Sequence, residues 1–184
     1  MEVVIVLLLL IVLSIVLIVY AAKAAGKNKK VLGYFHDLQK TDNRFSNSKL
    51  FEFVNKTSLI LISETGHIAL KAVELAEPKI INIKDINGFE IIEDGKSSAN
   101  LGGAVVGGLL FGGAGAIIGG LQAQKKITKM SFLFKTNNFS SPNIEIRLIA
   151  LSVKKGSFEY QGLNEKIKDL MSTLEVVEKN CKDA

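Results

Sequence analysis

One cysteine and two histidines in 184 residues leave little material for several kinds of chemistry. Cys181 has no second thiol to pair with, so no internal disulfide forms, which fits a reducing compartment. Zinc sites draw on several Cys or His at short spacing, whereas His36 and His67 stand alone and read as surface or turn residues. Glu64, close to His67, reads as turn polarity, and Asp94-Gly95-Lys96 as a turn. A reactive thiolate needs an electropositive, structured setting, and the end of a terminal helix is a poor one for Cys181. No nucleophile, base and orienter converge. The expectation is a protein that is not an enzyme, with no catalytic residue, no metal and no cofactor.

Nucleotide motifs are also missing. There is no Gly-Lys-Ser/Thr of a phosphate-binding loop, and the glycines lack the G-x-G-x-x-G spacing inside a βαβ unit. The formal charge is +5 and the pI about 9.2. Much of that excess sits in Lys23, Lys27, Lys29 and Lys30, directly after an apolar run, where it reads as a membrane flank. Without a continuous basic stripe carrying interleaved aromatics, nucleic acid is not an expected partner.

What the chain does have is glycine, in one place. Leu101 to Leu121 holds nine of the sixteen glycines and no charged or polar side chain. Its pairs Gly103/Gly107, Gly108/Gly112 and Gly115/Gly119 are four apart, the spacing of one helix face, where small residues open a groove for a second backbone. Each glycine costs about 1 kcal/mol relative to alanine inside a helix, so such a helix exists only if something packs against it. The reading is a glycine zipper. A flexible linker is the competing account, but linkers mix Gly with Ser, and this run alternates Gly with Val, Leu, Ile and Phe.

Val3 to Tyr20 is apolar apart from Ser14 and, extended by Ala21 and Ala22, forms a helix of about 30 Å, the thickness of the bilayer's hydrocarbon core. With Glu2 before it and lysines after it, the positive-inside rule directs the N-terminus outward and the rest of the chain to the cytoplasm. A cleavable signal peptide is the alternative, opposed by the missing basic n-region and by the length of the apolar run.

Val31 to Leu38 suits a short juxtamembrane helix and Thr41 to Ser48 a polar loop. Strand-like patterns follow at Leu50–Val54, Leu59–Ile62, Ile68–Val73, Lys79–Ile83 and Phe89–Ile92, with turns at Asn55-Lys56, Thr65-Gly66, Glu77-Pro78 and Asn87-Gly88. Two more strands, Lys129–Lys135 and Asn143–Ile149, are joined through Asn137-Asn138. Tyr160, Leu163, Ile167, Leu170, Leu174 and Val177 then recur at three and four, marking a terminal amphipathic helix. The expected division is a transmembrane anchor over 1–22, a basic juxtamembrane linker over 23–49, a β-domain over 50–98 and 127–180, and the glycine segment over 99–126.

If the strands on either side of the glycine segment share a sheet, both its ends lie on one side of any membrane. The preferred solution is a helical hairpin turning at Gly112-Gly113. Its packing face would carry Ala99, Gly103, Gly107, Gly108 and Gly112, then Gly115, Gly119, Gly120 and Ala123. A single span remains open only if the later strands belong to another sheet.

Five strands ending in Gly88-Phe-Glu-Ile-Ile-Glu-Asp-Gly-Lys96, the glycine block, then a basic strand pair and a helix resemble bacterial and prophage proteins in which a PH-like domain is interrupted by a glycine-zipper hairpin, a group associated with the short SHOCT domain. This chain departs from that group in its tail, where Ser157 to Lys179 reads as the capping helix of the PH-like fold in the place a SHOCT segment would take. The resemblance implies an α+β fold, a seven-stranded antiparallel half-barrel with a C-terminal capping helix, behind an N-terminal transmembrane helix. It also implies a bacterial or phage origin, hence the inner membrane. The expected function is a membrane-anchored interaction module that self-associates through its zipper, with the bilayer, copies of itself and an unidentified protein as partners, in a setting such as superinfection exclusion. The alternative is a membrane-perturbing or pore-forming phage-defence effector, against which stands the lack of any polar side chain in Leu101–Leu121 to line a water path.

Overall fold

A computed structural model describes residues 2–54, 57–72, 75–102 and 126–183. Its first element is one unbroken helix, α1 (Glu2–Thr41), of 40 residues and therefore about 60 Å long. The separate anchor, linker and juxtamembrane helix expected from the sequence are one rod, because neither Gly26 nor Gly33 breaks it and no proline falls within it. It stops where Asp42 turns the chain. The Asp42 side chain accepts from the Arg44 amide and caps a 3-10 turn, Asn43–Phe45, inside the stretch expected to be a loop.

Four strands then form a meander: β1 (Ser48–Phe53), β2 (Ser58–Ser63), β3 (His67–Lys71) and β4 (Lys79–Asn82), hydrogen-bonded in that order. A second antiparallel sheet contains β5 (Ile86–Glu93), β6 (Lys96–Gly102), β8 (Met130–Thr136) and β9 (Asn143–Arg147), in the order β6-β5-β8-β9. The two-residue strands β7 (Lys126–Ile127) and β10 (Val153–Lys154) pair with each other. The chain ends in α2 (Phe158–Asp183). The architecture is α+β with antiparallel sheets and a C-terminal helix, as a PH-like domain requires. All seven expected strands are present; β6, β7 and β10 add to them.

One expected turn is not a turn. Asn87-Gly88 lies inside β5, where the register against β8 slips between Ile86 and Gly88, so Asn87 occupies a bulge. The chain reverses instead at the 3-10 turn Ile83–Asp85, capped by the Asn82 side chain.

Two hydrophobic clusters hold these elements. The larger fills the space between the sheets and α2 with Phe51, Ile60, Ile62, Phe132, Phe134, Ile146, Leu170 and Leu174. The smaller lies on the other side of the first sheet, where Leu59, Leu61 and Ala69 meet Phe35 of α1 and Phe45 of the 3-10 turn, edged by Val31, Leu32 and Leu38. All six residues of β2, Ser-Leu-Ile-Leu-Ile-Ser, are consequently buried. A strand apolar on both faces needs a cover on both, and the lower half of α1 is the second cover.

The molecule has two distinguishable ends. At one, here called upper, α2 begins beside the end of β1 and the β5–β6 turn: Tyr160 Oη donates to Glu93 Oε1 at 3.2 Å, and Lys166 Nζ to the Glu52 carbonyl at 3.0 Å. At the lower end the Ile83 amide donates to the Gly66 carbonyl at 2.7 Å and the Asn137 amide to the Asp85 carbonyl at 2.8 Å, with Cys181 of α2 against Gly66. Gly66 has φ +85° and a Cβ there would fall 2.8 Å from Cys181 Sγ, so only glycine fits that turn. The C-terminus of α1 is also low, since Gln39 Nε2 donates to Ser48 Oγ at 3.2 Å. From there α1 climbs the sheet to cover Leu59 and leaves past Val31 at the upper end.

Truncating Phe35, which is wholly buried, to alanine should cost about 3–5 kcal/mol. Tyr34→Ala, at a half-exposed neighbour, should cost far less. Denaturant unfolding of the full chain in detergent checks both, and equal losses would show that α1 is not seated as described.

Candidate functional site

Three features of the upper end and its surroundings are candidates for function: the exposed part of α1, the attachment of the glycine segment, and an apolar groove. The first is Ile5–Ala22, a window of 18 residues with mean hydropathy 3.3, none of it buried in the protein. Its described side chains lie open all round, from Ile5 to Tyr20, while Phe35 of the same helix is fully buried. Length and composition suit a membrane span, and a signal sequence close to the N-terminus meets the same criteria. Lys23, Lys27, Lys29 and Lys30 follow the window on α1, and Lys29 is exposed.

The glycine segment is attached through β6 and β7. Its proposed packing residues Gly103, Gly107, Gly108, Gly112, Gly115, Gly119, Gly120 and Ala123 lie outside the described residues, as does the turn at Gly112-Gly113. Ala99 does not belong with them. It sits in β6, paired with Ile91 of β5, because the sheet continues to Gly102 opposite Gly88 before the segment begins. The strand was missed for want of apolar alternation, but it carried a signal. Asp94-Gly95 is a two-residue hairpin turn with φ of 48° and 78°, the type I′ geometry that such a dipeptide favours.

That turn also holds the other end of the connection. Asp94 Oδ1 accepts the Thr128 amide at 2.8 Å, the Thr128 hydroxyl at 2.7 Å and the Lys129 amide at 2.9 Å, and the Asp94 amide donates back to the Lys129 carbonyl at 2.9 Å. Strands β6 and β8 both run antiparallel to β5, on either side of it, so they are parallel to each other. Residues 103–125 therefore join Gly102, at the lower end, to Lys126, at the upper end, about 20 Å apart along the sheet. The segment leaves from β6 and returns through the separate ribbon β7–β10, after which the chain re-enters the sheet of β6 as β8. The strands before and after it, β6 and β8, therefore share one sheet, the condition under which the sequence places both ends on the same side of a membrane.

The groove, of about 540 Å³, lies at the upper end between β1, the residues after β9 and the start of α2; Phe53, Val54, Leu148, Leu151, Val153 and Leu163 supply its apolar lining. Gly162, which has no neighbour within 4 Å of where a Cβ would lie, leaves the α2 wall open. A smaller hollow of about 370 Å³ at the lower end involves Ile83, Ile86 and Cys181.

Ion pairs tie the upper end together. Glu93 lies 2.7 Å from Lys155 Nζ and holds that ammonium above its ordinary pKa. Burial first, and then Glu93, raises Tyr160. Lys129 donates to Glu145 across 2.7 Å and holds the carboxyl below its usual value. His67 shares a 3.1 Å hydrogen bond with Thr65 in the turn, His36 faces Gln39 at 3.3 Å on α1, and Glu64 accepts from the Asn47 side chain. Among the described residues no group of three or more His, Cys, Asp or Glu is placed to hold a metal ion.

Comparison with protein families gives one match. The model of a family described as "Glycine zipper containing PH domain" covers residues 40–150, from the last turn of α1 through β9 and including 103–125. No curated protein and no solved structure matches the chain.

Asp94→Ala removes three accepted hydrogen bonds and places a Cβ-bearing residue without a compensating side chain at positive φ. Amide hydrogen exchange at Thr128 and Lys129 should accelerate while that of β2 stays protected; unchanged exchange at those two amides would show that the carboxylate does not hold them. The pH dependence has two limbs. The Glu145 contribution is present above the ordinary carboxylate pKa and lost as pH falls through the depressed one, and that of Lys155 is present below the ordinary lysine pKa and lost as pH rises through the raised one. Melting temperatures against pH should show a weaker acid limb in Glu145→Gln and a weaker alkaline limb in Lys155→Met.

Proposed function

The chain belongs to the family of glycine zipper-containing PH domains, and on that premise we propose a membrane-anchored interaction module that self-associates through residues 103–125. A PH domain joined to a glycine zipper is the make-up of an interaction module. The finer reading rests on α1. One continuous helix exposes an eighteen-residue window that is apolar but for Ser14 and, within the same rod, buries Phe35 and covers a strand of the domain. Left in water, that apolar surface would be a severe liability; in a bilayer it is satisfied, and the domain below is held without a flexible tether. The lysines after the window support a cytoplasmic domain, on the inner face of a bacterial inner membrane.

The glycine spacing supports the second half of the proposal. Small residues four apart allow backbones to approach, and an anchor that confines copies to a plane raises their effective concentration. The partners are then the bilayer, further copies of the chain, and a protein that the domain receives. A phage or prophage setting, with a role in superinfection exclusion, rests on the family resemblance alone.

Chemical crosslinking of the full chain in membranes tests the assembly. Oligomers should form with the native sequence and disappear when Gly103, Gly107, Gly115 and Gly119 are all replaced by leucine. A ladder that survives these substitutions removes the zipper from the function.

A further inference from the structure

We propose that the upper end of the domain is a second membrane-contact surface, which docks on an anionic bilayer through Leu151 and Phe158 with Lys126 and Lys154. The inference rests on the anchored reading of α1 and adds to it a site and a lipid class.

Two large apolar side chains stand nearly free at this end. Leu151 is 80% exposed and Phe158 86% exposed, on either side of β10. Each flanks the apolar groove that begins at Phe53 and Val54: Leu151 lines it, and Phe158 precedes Glu159, which also lines it. Between them the two-stranded ribbon β7–β10 sets Lys126 directly opposite Lys154, both exposed, and neither has an ion pair among the described residues. Like charges directly opposite on a ribbon repel, so the pair is stabilised by an anion placed between or above them. Lys155 is engaged with Glu93 and Lys166 with the Glu52 carbonyl, while Lys96, just after the β5–β6 turn, is exposed and Glu159, beside Phe158, accepts a hydrogen bond from Ser157.

A surface that presents apolar prongs beside uncompensated lysines matches the boundary of an acidic bilayer, where side chains enter the acyl edge and lysines meet phosphates. The position of α1 selects the bilayer over a soluble acidic partner. The helix leaves the domain at this same end, past Val31, and its apolar window closes at Ala22. That interval advances about 13 Å, of which the headgroup layer takes about half. The upper loops are thus held next to the membrane surface by a continuous helix, and docking costs little additional ordering.

The chain contains no tryptophan, so Phe158→Trp installs a single fluorescent reporter at an exposed position. The full chain carrying it is reconstituted into vesicles of phosphatidylcholine with or without phosphatidylglycerol, with brominated acyl chains as quencher, and retention after an alkaline carbonate wash is scored separately. In phosphatidylglycerol vesicles the emission should shift to the blue and be quenched by the brominated lipid. Adding Lys126→Gln and Lys154→Gln should lower the docked-to-free ratio by about thirtyfold and abolish the quenching, since each lysine near an anionic surface contributes about fivefold. Protein that resists the wash but shows a water-exposed, unquenched tryptophan overturns the docking surface and leaves the anchor standing. Protein removed by the wash overturns the anchor and this proposal together. A blue shift that follows protein density, with no quenching by brominated lipid, makes a second copy the occupant and overturns the bilayer as partner.

Discussion

The packing of α1 on the outer face of the first sheet is the contact on which the rest of the structure depends. β2 is buried on both sides, with Ile60 and Ile62 in the core between the sheets and Leu59 and Leu61 under Phe35 and Phe45. Without the helix, that outer face would be an exposed apolar surface on an antiparallel sheet, which ordinarily turns polar residues to water on one side. The contact therefore serves the stability of the domain and the orientation of the apolar window at once. Because α1 has no break, whatever fixes Ile5–Ala22 in space also fixes the sheet.

A second constraint comes from the β5–β6 turn. Asp94 takes a backbone conformation that few side chains tolerate, and its carboxylate gathers the amides of Thr128 and Lys129. The chain leaves the sheet at Gly102 and returns at Lys126, in the ribbon at the opposite end; the strands that precede and follow the insertion, β6 and β8, flank β5, each antiparallel to it and so parallel to each other. Such a connection has to run the length of the sheet, which is why parallel strands are joined by a dozen residues or more. The glycine-rich insertion is thereby joined to a strand at both attachments, to β6 of the sheet at Gly102 and to the β7–β10 ribbon at Lys126.

These two constraints share one consequence for function. The anchor candidate, the start of α2, the apolar groove and the point where the glycine segment rejoins the domain all fall at the upper end. The lower end is held by short hydrogen bonds and by the fit of Cys181 against Gly66, beside the smaller hollow. Leu151, Phe158 and the groove thus lie at the end from which the membrane-length helix emerges, while Phe139, 99% exposed, stands at the opposite end in the β8–β9 turn.

Periodicity in the sequence was enough to determine the seven principal strands, the terminal helix, the apolar window and the glycine spacing, because each is a local pattern of side chains against a period of two or about four. It was not enough for β6, whose Lys-Ser-Ser-Ala-Asn-Leu-Gly shows no alternation and is a strand because β5 lies beside it and Asp94-Gly95 turns the chain toward it. Asn87-Gly88 looked like a turn for the right local reason and became a bulge because β8 continues past it. The juxtamembrane stretch was legible as helical through Val31, Phe35 and Leu38, but that it continues the first helix and covers β2 depends on contacts between residues far apart in the chain. Local chemistry decided which segments would be helix, strand or glycine-rich; only the tertiary structure decided that the two attachments of the glycine segment lie a strand's length apart and that lysines 126 and 154 face each other, because both follow from pairings that no neighbour in sequence enforces.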